Sequence, residues 1–342
     1  MNHEKYIHMH GGGMSSMKKA SFKVALKGKK QIAEGTSAFI FEKPQGFQFK
    51  AGQHIRMTLI NPPETDSRGN SRFFSLANST QDTELVIAMR MGPSTFKKSL
   101  ERMQIGEKVL IQVLLGVPHG AFALHDDTSK PAIFLVGGIG IVPVFSMIKD
   151  ATEKRLSHKM FLFYSNRRPE DAPYLAELQD LAKQNPNFTL IATMTEAEKS
   201  TKGWQGKTGF INKTLLTQYV NDLKSPIYYV AGLPEMTSAM KKMLADLGVN
   251  EGNINAEEFT GFNLNEIEIK SVPSHPWKKH VLIGVVIIVI VAVGIAHVSA
   301  AFSLSGVFSL KNPLFYLMIG VMLIVTPFKL KHLLKIYKFR GK

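Results

Sequence analysis

The 342-residue chain carries 42 Lys and Arg against 27 Asp and Glu, a formal charge of +15, and no cysteine. Disulfides, thiolate-held zinc and cysteine-held iron–sulfur clusters are therefore excluded, and any redox centre has to be organic or haem. Positions 276–342 hold nine of the basic residues and no Asp or Glu, which leaves +6 of the +15 for everything else and argues against nucleic acid as a partner.

The length fits two domains and an additional segment. Residues 1–19, with their His, Met and Gly, have no apolar stretch for a secretory signal and read as a disordered lead-in, with Met1, Met14 and Met17 as candidate starts. No scaffold holds His3, His8 and His10 together, so no metal site is expected there. Over 20–127, short β-type runs at 22–26, 36–41, 54–60, 72–77, 84–89 and 108–113 alternate with Gly, Pro and Asn. This spacing predicts a closed antiparallel β-barrel, interrupted by one helix over 94–103 whose Phe96, Leu100 and Met103 share a face.

The pattern changes near Lys130-Pro131. Over 128–270 apolar strand-like runs alternate with helical ones, predicting a doubly wound α/β domain around a buried parallel sheet. Residues 271–279 form a Pro-containing linker. Beyond it the stretches 281–302 and 312–328 are uncharged, and at about 1.5 Å per residue each comes close to the hydrocarbon thickness of a bilayer. A hairpin of two transmembrane helices is expected over 280–335, followed by a basic tail over 336–342. Lys278 and Lys279 precede the first helix and Lys329, Lys331, Lys335, Lys338, Arg340 and Lys342 follow the second, whereas the connection has only Lys311, so both chain ends are expected to be cytoplasmic. His280, His297 and His332 are too few and too dispersed for a haem pair, and a plain anchor in the lipid bilayer is the expectation.

Chemistry gathers at two places. Gly137-Gly138-Ile139-Gly140-Ile141-Val142-Pro143 joins the first α/β strand to its helix. Glycines there let the backbone approach a diphosphate, the helix N-terminus offers unpaired N–H groups, and Pro143 suits the first helical turn. In the barrel, Arg72-Phe73-Phe74-Ser75 offers a bidentate cation, an aromatic face and a hydroxyl.

The pairing of these motifs resembles the ferredoxin-NADP reductase superfamily over about residues 22–262. Arg72, Phe74 and Ser75 match its Arg-x-Tyr/Phe-Ser flavin motif. The segment from Arg90 to Lys97, with Ser94 and Thr95, resembles the second flavin-phosphate segment, and Gly116 to Phe122 resembles Gly-Pro-x-Gly-x-Phe with Val117 inserted. Phe163 to Arg168 resembles the stretch meeting the nucleotide ribose and phosphate. Gly232-Leu233-Pro234-Glu235-Met236 looks like Cys-Gly-Pro-x-x-Met, and Glu257-Glu258-Phe259 like the final Glu-x-Phe. Ala231 stands for the family's Cys, Leu233 is interposed before the Pro, and Val142 replaces a frequent Thr.

The resemblance implies an NAD(P)H-dependent flavin oxidoreductase. Ser75 and Glu258 would take part in the chemistry. Arg72, Phe74, Ser75, Arg90, Ser94 and Thr95 would bind FAD, with FMN the less favoured flavin. Gly137, Gly138, Gly140, Pro143, Ser165, Arg167, Arg168, Gly232, Met236 and Phe259 would serve the nucleotide site. Arg167 and Arg168 favour NADPH, with NADH as the alternative. Electrons would leave to an external acceptor: a ferredoxin or flavodoxin, a membrane haem protein, a quinone or a ferric chelate. The competing reading is a membrane-tethered sensor or regulatory subunit that holds flavin or nucleotide with little turnover.

Overall fold

The computed structural model describes residues 19–114 and 122–259. Six antiparallel strands come first: β1 (Lys19–Ala33), β2 (Thr36–Glu42), β3 (His54–Leu59), β4 (Ser71–Ser75), β5 (Glu84–Arg90) and β6 (Lys108–Leu114). Their order is β4-β3-β6-β1-β2-β5, and a bridge from Leu76, just beyond β4, to Ile87 of β5 joins the two ends. Alternation explains the interior: Val24, Leu26, Phe39, Phe41, Ile55, Met57, Leu85, Ile87, Val109 and Ile111 are all buried in one core. The helix α1 (Thr95–Arg102) adds Phe96 and Leu100 to it, at the i, i+4 spacing that faces a core.

β1 is longer than its apolar part, 22–26, suggests. It pairs with β6 over Lys19–Ala25 and with β2 from Leu26 onward, shifting register between Leu26 and Gly28. Its second half reads Lys-Gly-Lys-Lys-Gln, polar because these side chains face water. β1 opens at Lys19, the last residue of the expected lead-in.

The second sheet is parallel, in the order β10-β9-β8-β7-β11-β12. Its strands are β7 (Ala132–Gly137), β8 (Met160–Asn166), β9 (Phe188–Met194), β10 (Lys207–Thr208), β11 (Ile227–Gly232) and β12 (Ile254–Glu258). Residues 132–136 of β7 are each fully buried, which accounts for their unbroken apolar run. The helices α2 (Ile141–Glu153) and α3 (Leu175–Gln184) cover one face. The other carries α4 (Lys213–Thr217) and α5 (Pro234–Asp246). α4 is only five residues long.

Barrel and α/β sheet share one core. Ala38, Ala77 and Ala88 of the barrel lie in the same buried cluster as Ile141, Phe145 and Ile148 of α2. Polar seams flank it: Ser146 Oγ donates to Asn78 O at 2.7 Å, Thr80 N–H and Oγ1 donate to Asp150 Oδ1 at 2.9 and 2.5 Å, and Lys149 pairs with Asp82 at 2.6 Å. On the far side Glu34 N–H, in the β1–β2 turn, donates to Glu170 O at 2.8 Å. These buried and half-buried contacts fix the angle between the lobes, which a cleft site requires.

Among the described residues no helix is long and apolar enough to cross a membrane. The linker over 271–279, the two spanning helices over 280–335, the tail over 336–342, and residues 116–121 of the barrel-closing motif lie outside the described residues.

Candidate functional site: the cleft between barrel and parallel sheet

On the barrel side, Arg72 and Phe74 lie two apart on β4 and meet the same ring of α1. The Phe74 and Phe96 rings are 5.8 Å apart, and Arg72 Cζ lies 5.1 Å from the Phe96 centroid. Arg72 is buried, and its contacts are internal. Nη1 donates to the carbonyls of Arg68, Gly69 and Ser71 at 3.1, 3.0 and 2.7 Å, while Nη2 donates to both oxygens of Asp66 at 2.5 and 2.7 Å. Burial alone would raise the Asp66 pKa. Hydrogen bonds from Arg72 and from the Arg68 N–H, with the charges of both guanidiniums, outweigh that and hold it below the usual carboxylate range.

Beside this clasp a pocket of about 300 Å³ is lined by Asp66, Ser67, Arg68, Pro93, Ser94 and Thr95. Ser94 is the N-cap of α1, is 7 % exposed, and makes no capping hydrogen bond. Cations gather nearby: Lys97 Nζ donates to Arg90 O at 2.7 Å, and its pKa lies below the usual ammonium value because of burial and then the charges of Arg68 and Arg90. A cationic group around a helix N-terminus is suited to an anion.

On the sheet side the glycine loop follows β7, and α2 begins at Ile141 with Pro143 inside the first turn. A Cβ at Gly137 would come 2.3 Å from Met236 Sδ, and one at Gly232 would come 2.9 Å from the same atom. These three residues therefore pack on each other. Gly138 differs, with φ +54° and nothing within 4 Å of where its Cβ would point, so its backbone faces open space. Ser165 at the end of β8 is level with Gly137.

The two sides meet at β12. Register pairs Ala231 with Glu257 and Gly232 with Glu258, and Phe259 N–H donates to Gly232 O at 2.9 Å. The resemblance implies Glu258 as the reactive carboxylate; in the structure its neighbour Glu257 is the acid that approaches Ser75. Glu258 is an exposed residue whose Oε1 accepts from Thr237 Oγ1 of α5 at 3.1 Å. The Glu257 carboxyl is the one within reach of the Ser75 hydroxyl. Its Oε2 is enclosed and has no partner among the described residues. Burial pushes the Glu257 pKa up to about 7, with Ser75 pulling the other way. The spacing Glu-x-Phe already points to Glu257, and period-two alternation along β12 separates the two acids.

Arg168 is also redirected. Its Nε and Nη2 donate to the Asp171 carboxylate at 2.8 and 3.0 Å, Nη2 meets Glu34 at 2.8 Å, and Nη1 lies 3.5 Å from Glu170. It joins the sheet to the barrel's β1–β2 turn. Arg167 is more than half exposed and lies 3.7 Å from Asp171. Asp66, Glu34, Glu170 and Asp171 went unnoticed in the sequence because none belongs to a recognised motif.

Residues 134–242 match the family model for an oxidoreductase NAD-binding domain. Curated relatives agree. The chain is 35% identical to one component of the Na(+)-translocating NADH-quinone reductase of Methylococcus capsulatus over 173 residues, 49% of this chain and 41% of that one. It is 32% identical over the same shares to the corresponding component from Klebsiella pneumoniae. The chain thus spans about two fifths of the length of the curated relatives it matches. Among solved structures, the Amycolatopsis cytochrome P450 reductase GcoB aligns with a TM-score of 0.60 at 20% identity, covering 72% of each chain. The cytochrome b5 reductase domain of Ulva prolifera nitrate reductase aligns at 0.56 and 19%, covering 70% of this chain and 97% of that one. The fold is the ferredoxin-NADP reductase-like pairing of an antiparallel barrel with a parallel α/β sheet.

Proposed function

We propose that the chain is a flavin oxidoreductase that uses FAD and a nicotinamide dinucleotide, NADH in preference to NADPH, and passes electrons to an external acceptor. The observation that carries this reading is the approach of Ser75, the last residue of β4, to Glu257 of β12, whose strand partner is Ala231 of β11. The residues fit a flavin and a nucleotide: an aromatic pair at Phe74 and Phe96, a hydroxyl at Ser94 that makes no capping bond and lines a pocket with Arg68, a carboxyl oxygen at Glu257 without a partner among the described residues, and open backbone at Gly138. A bound flavin supplies the chemistry of accepting a hydride and releasing electrons one or two at a time.

The chain's own contribution is placement and one proton. Phe74, backed by Phe96, offers an apolar wall for a planar ring. The N-terminus of α1 with Arg68 receives a phosphate, and the Gly138 backbone and the start of α2 receive the dinucleotide. Glu257 holds or releases a proton near neutral pH, with the Ser75 hydroxyl within reach of its carboxyl. The shared core fixes the two halves of the site against each other.

Donor choice follows from Arg168. In open parallel sheets the adenine-side ribose is read at the carboxyl end of the strand after the first helix, which here is the end of β8. A 2′-phosphate there would meet a guanidinium already paired with Asp171, Glu34 and Glu170. The kcat/KM for NADH is expected to exceed that for NADPH by about tenfold or more. Initial rates with the two donors measure this ratio, and a preference for NADPH would refute it.

For the acceptor, the relatives' names favour a quinone, and the two uncharged stretches at 281–302 and 312–328 favour one reached at the membrane from the cytoplasmic side. The test is anaerobic stopped-flow absorbance near ~450 nm of the purified full-length protein, mixed with NADH and then with a soluble quinone. Bleaching by NADH and recovery with quinone are the expected results. A yellow protein that bleaches with neither donor would end the enzyme reading; a colourless one that takes up no added flavin would end the flavin reading.

A further inference from the structure

The hydroxyl of Tyr164 lies against the glycine loop and bears on how the nucleotide site is shaped, an inference that rests on the nucleotide reading proposed above. Tyr164 is on β8, level with Val136 of β7, and is fully buried. Its hydroxyl donates to Pro173 O at 3.0 Å and to Gly138 O at 3.3 Å. One hydrogen serves both, so Tyr164 ties the loop to the segment that leads into α3. Burial pushes its pKa above the ordinary phenol value, so the hydroxyl keeps its proton and remains a donor at neutral pH.

The bond falls where the backbone most needs holding. Gly138 has φ +54°, and a glycine has little of its own to fix the peptide that follows. The Gly138 carbonyl also accepts from Ile141 N–H, so two donors from different elements set its direction. In a trans peptide the C=O and the next N–H point opposite ways, and no peptide of the described residues is cis. Pulling Gly138 O toward Tyr164 therefore turns Ile139 N–H away from it. The first N–H groups of a helical start have no partner within the helix and are suited to an anion. Were this peptide to flip, a carbonyl oxygen would face the anion instead.

We infer that Tyr164 is a positioning residue for the nicotinamide dinucleotide: its hydroxyl pins the Gly138 carbonyl so that Ile139 N–H, and not the carbonyl oxygen, meets the diphosphate. Being enclosed, Tyr164 touches no ligand itself. Tyr174, next to Pro173, supplies the contrast. It is buried too and its ring stacks on Phe145 of α2 at 4.2 Å, but its hydroxyl has no partner among the described residues.

Steady-state kinetics of the flavin-loaded full-length protein test this, with ADP and adenosine as competitors of NADH. Tyr164→Phe should raise the KM for NADH and the inhibition constant for ADP about tenfold. Its kcat, its inhibition constant for adenosine and its dissociation constant for FAD should stay within about twofold of the wild type. Tyr174→Phe deletes a buried phenol hydroxyl as well, and should leave all of these unchanged. In the wild type, ADP should slow hydrogen exchange in the peptide that carries Ile139, a readout that depends on no variant folding. Unchanged KM and ADP inhibition in Tyr164→Phe, equal weakening of ADP and adenosine, or no protection of the loop by ADP overturns the proposal and leaves the enzyme reading standing. A wild-type flavin that NADH does not reduce removes the nucleotide reading, and the proposal with it.

Discussion

Replacing Glu257 with glutamine is expected to slow flavin reduction by NADH about a hundredfold, the scale of losing a positioned proton donor or acceptor. The wild-type rate should vary with pH about an apparent pKa near 7, and the variant's should be flat across that range. The same carboxyl leaves a mark on stability. Its pKa in the folded state, about 7, lies above the ordinary value of 4.5, chiefly because burial disfavours the charged form. Between these values the folded protein retains a proton that the unfolded chain releases, so stability falls as pH rises from 4.5 toward 7 and levels off above it. The loss is at most about 3 kcal/mol. Glu257→Gln has no such slope, so its Tm should match the wild type at pH 5 and exceed it at pH 8. A glutamine variant with lower activity and an unaltered pH dependence of Tm would mean that the carboxyl is not enclosed as described. Unaltered activity would remove Glu257 from the reactive site, and Glu258→Gln, whose carboxyl bonds the Thr237 hydroxyl of α5 from an exposed position, serves as the control.

Much of the architecture was legible because burial leaves a period in the sequence. Alternation marks the barrel strands, unbroken apolar runs mark β7 and β8, and glycines mark the turn where a chain must approach another closely. What stayed hidden depended on partners distant in the sequence or on a choice between adjacent identical residues. The second half of β1 looks like a lysine-rich loop because a strand with a solvated face carries the same residues. Arg72 and Arg168 look like anion ligands, yet one is met by Asp66 six residues upstream and the other by Asp171 three residues on and by Glu34 on the opposite lobe. Glu257 and Glu258 are chemically identical neighbours that alternation places on opposite faces of β12, and the pairing with Ala231 and Gly232 of β11 shows which face each takes. Arginine by itself thus says only that a negative partner exists; the fold decides whether that partner is a ligand or the protein's own carboxylate.

The glycine loop offers the second large effect, because its members do different work. A Cβ at Gly140 would lie 2.6 Å from both the carbonyl carbon and oxygen of Ala231 and 2.8 Å from Gly232 N. All three are backbone atoms of a central strand and cannot rotate away, so Gly140→Ala should cost about 3 kcal/mol or more and lower Tm sharply. The φ of Gly140 is −60°, which alanine adopts without strain, so the loss would come from space alone. At Gly138 the position is reversed: φ is +54° and the surroundings are open, so alanine there should cost only about 1–2 kcal/mol, from backbone conformation. Its methyl would nevertheless stand where the dinucleotide is proposed to approach, raising the KM for NADH while kcat changes less. Thermal melts of the flavin-loaded variants, with steady-state kinetics on Gly138→Ala, separate the two. Equal Tm losses would mean that the loop is one structural turn and that Gly138 faces nothing of consequence. A large loss at Gly140 with a KM effect at Gly138 would assign Gly140 to packing of the loop against β11 and Gly138 to the nucleotide, a division that the Gly-Gly-x-Gly pattern by itself does not make.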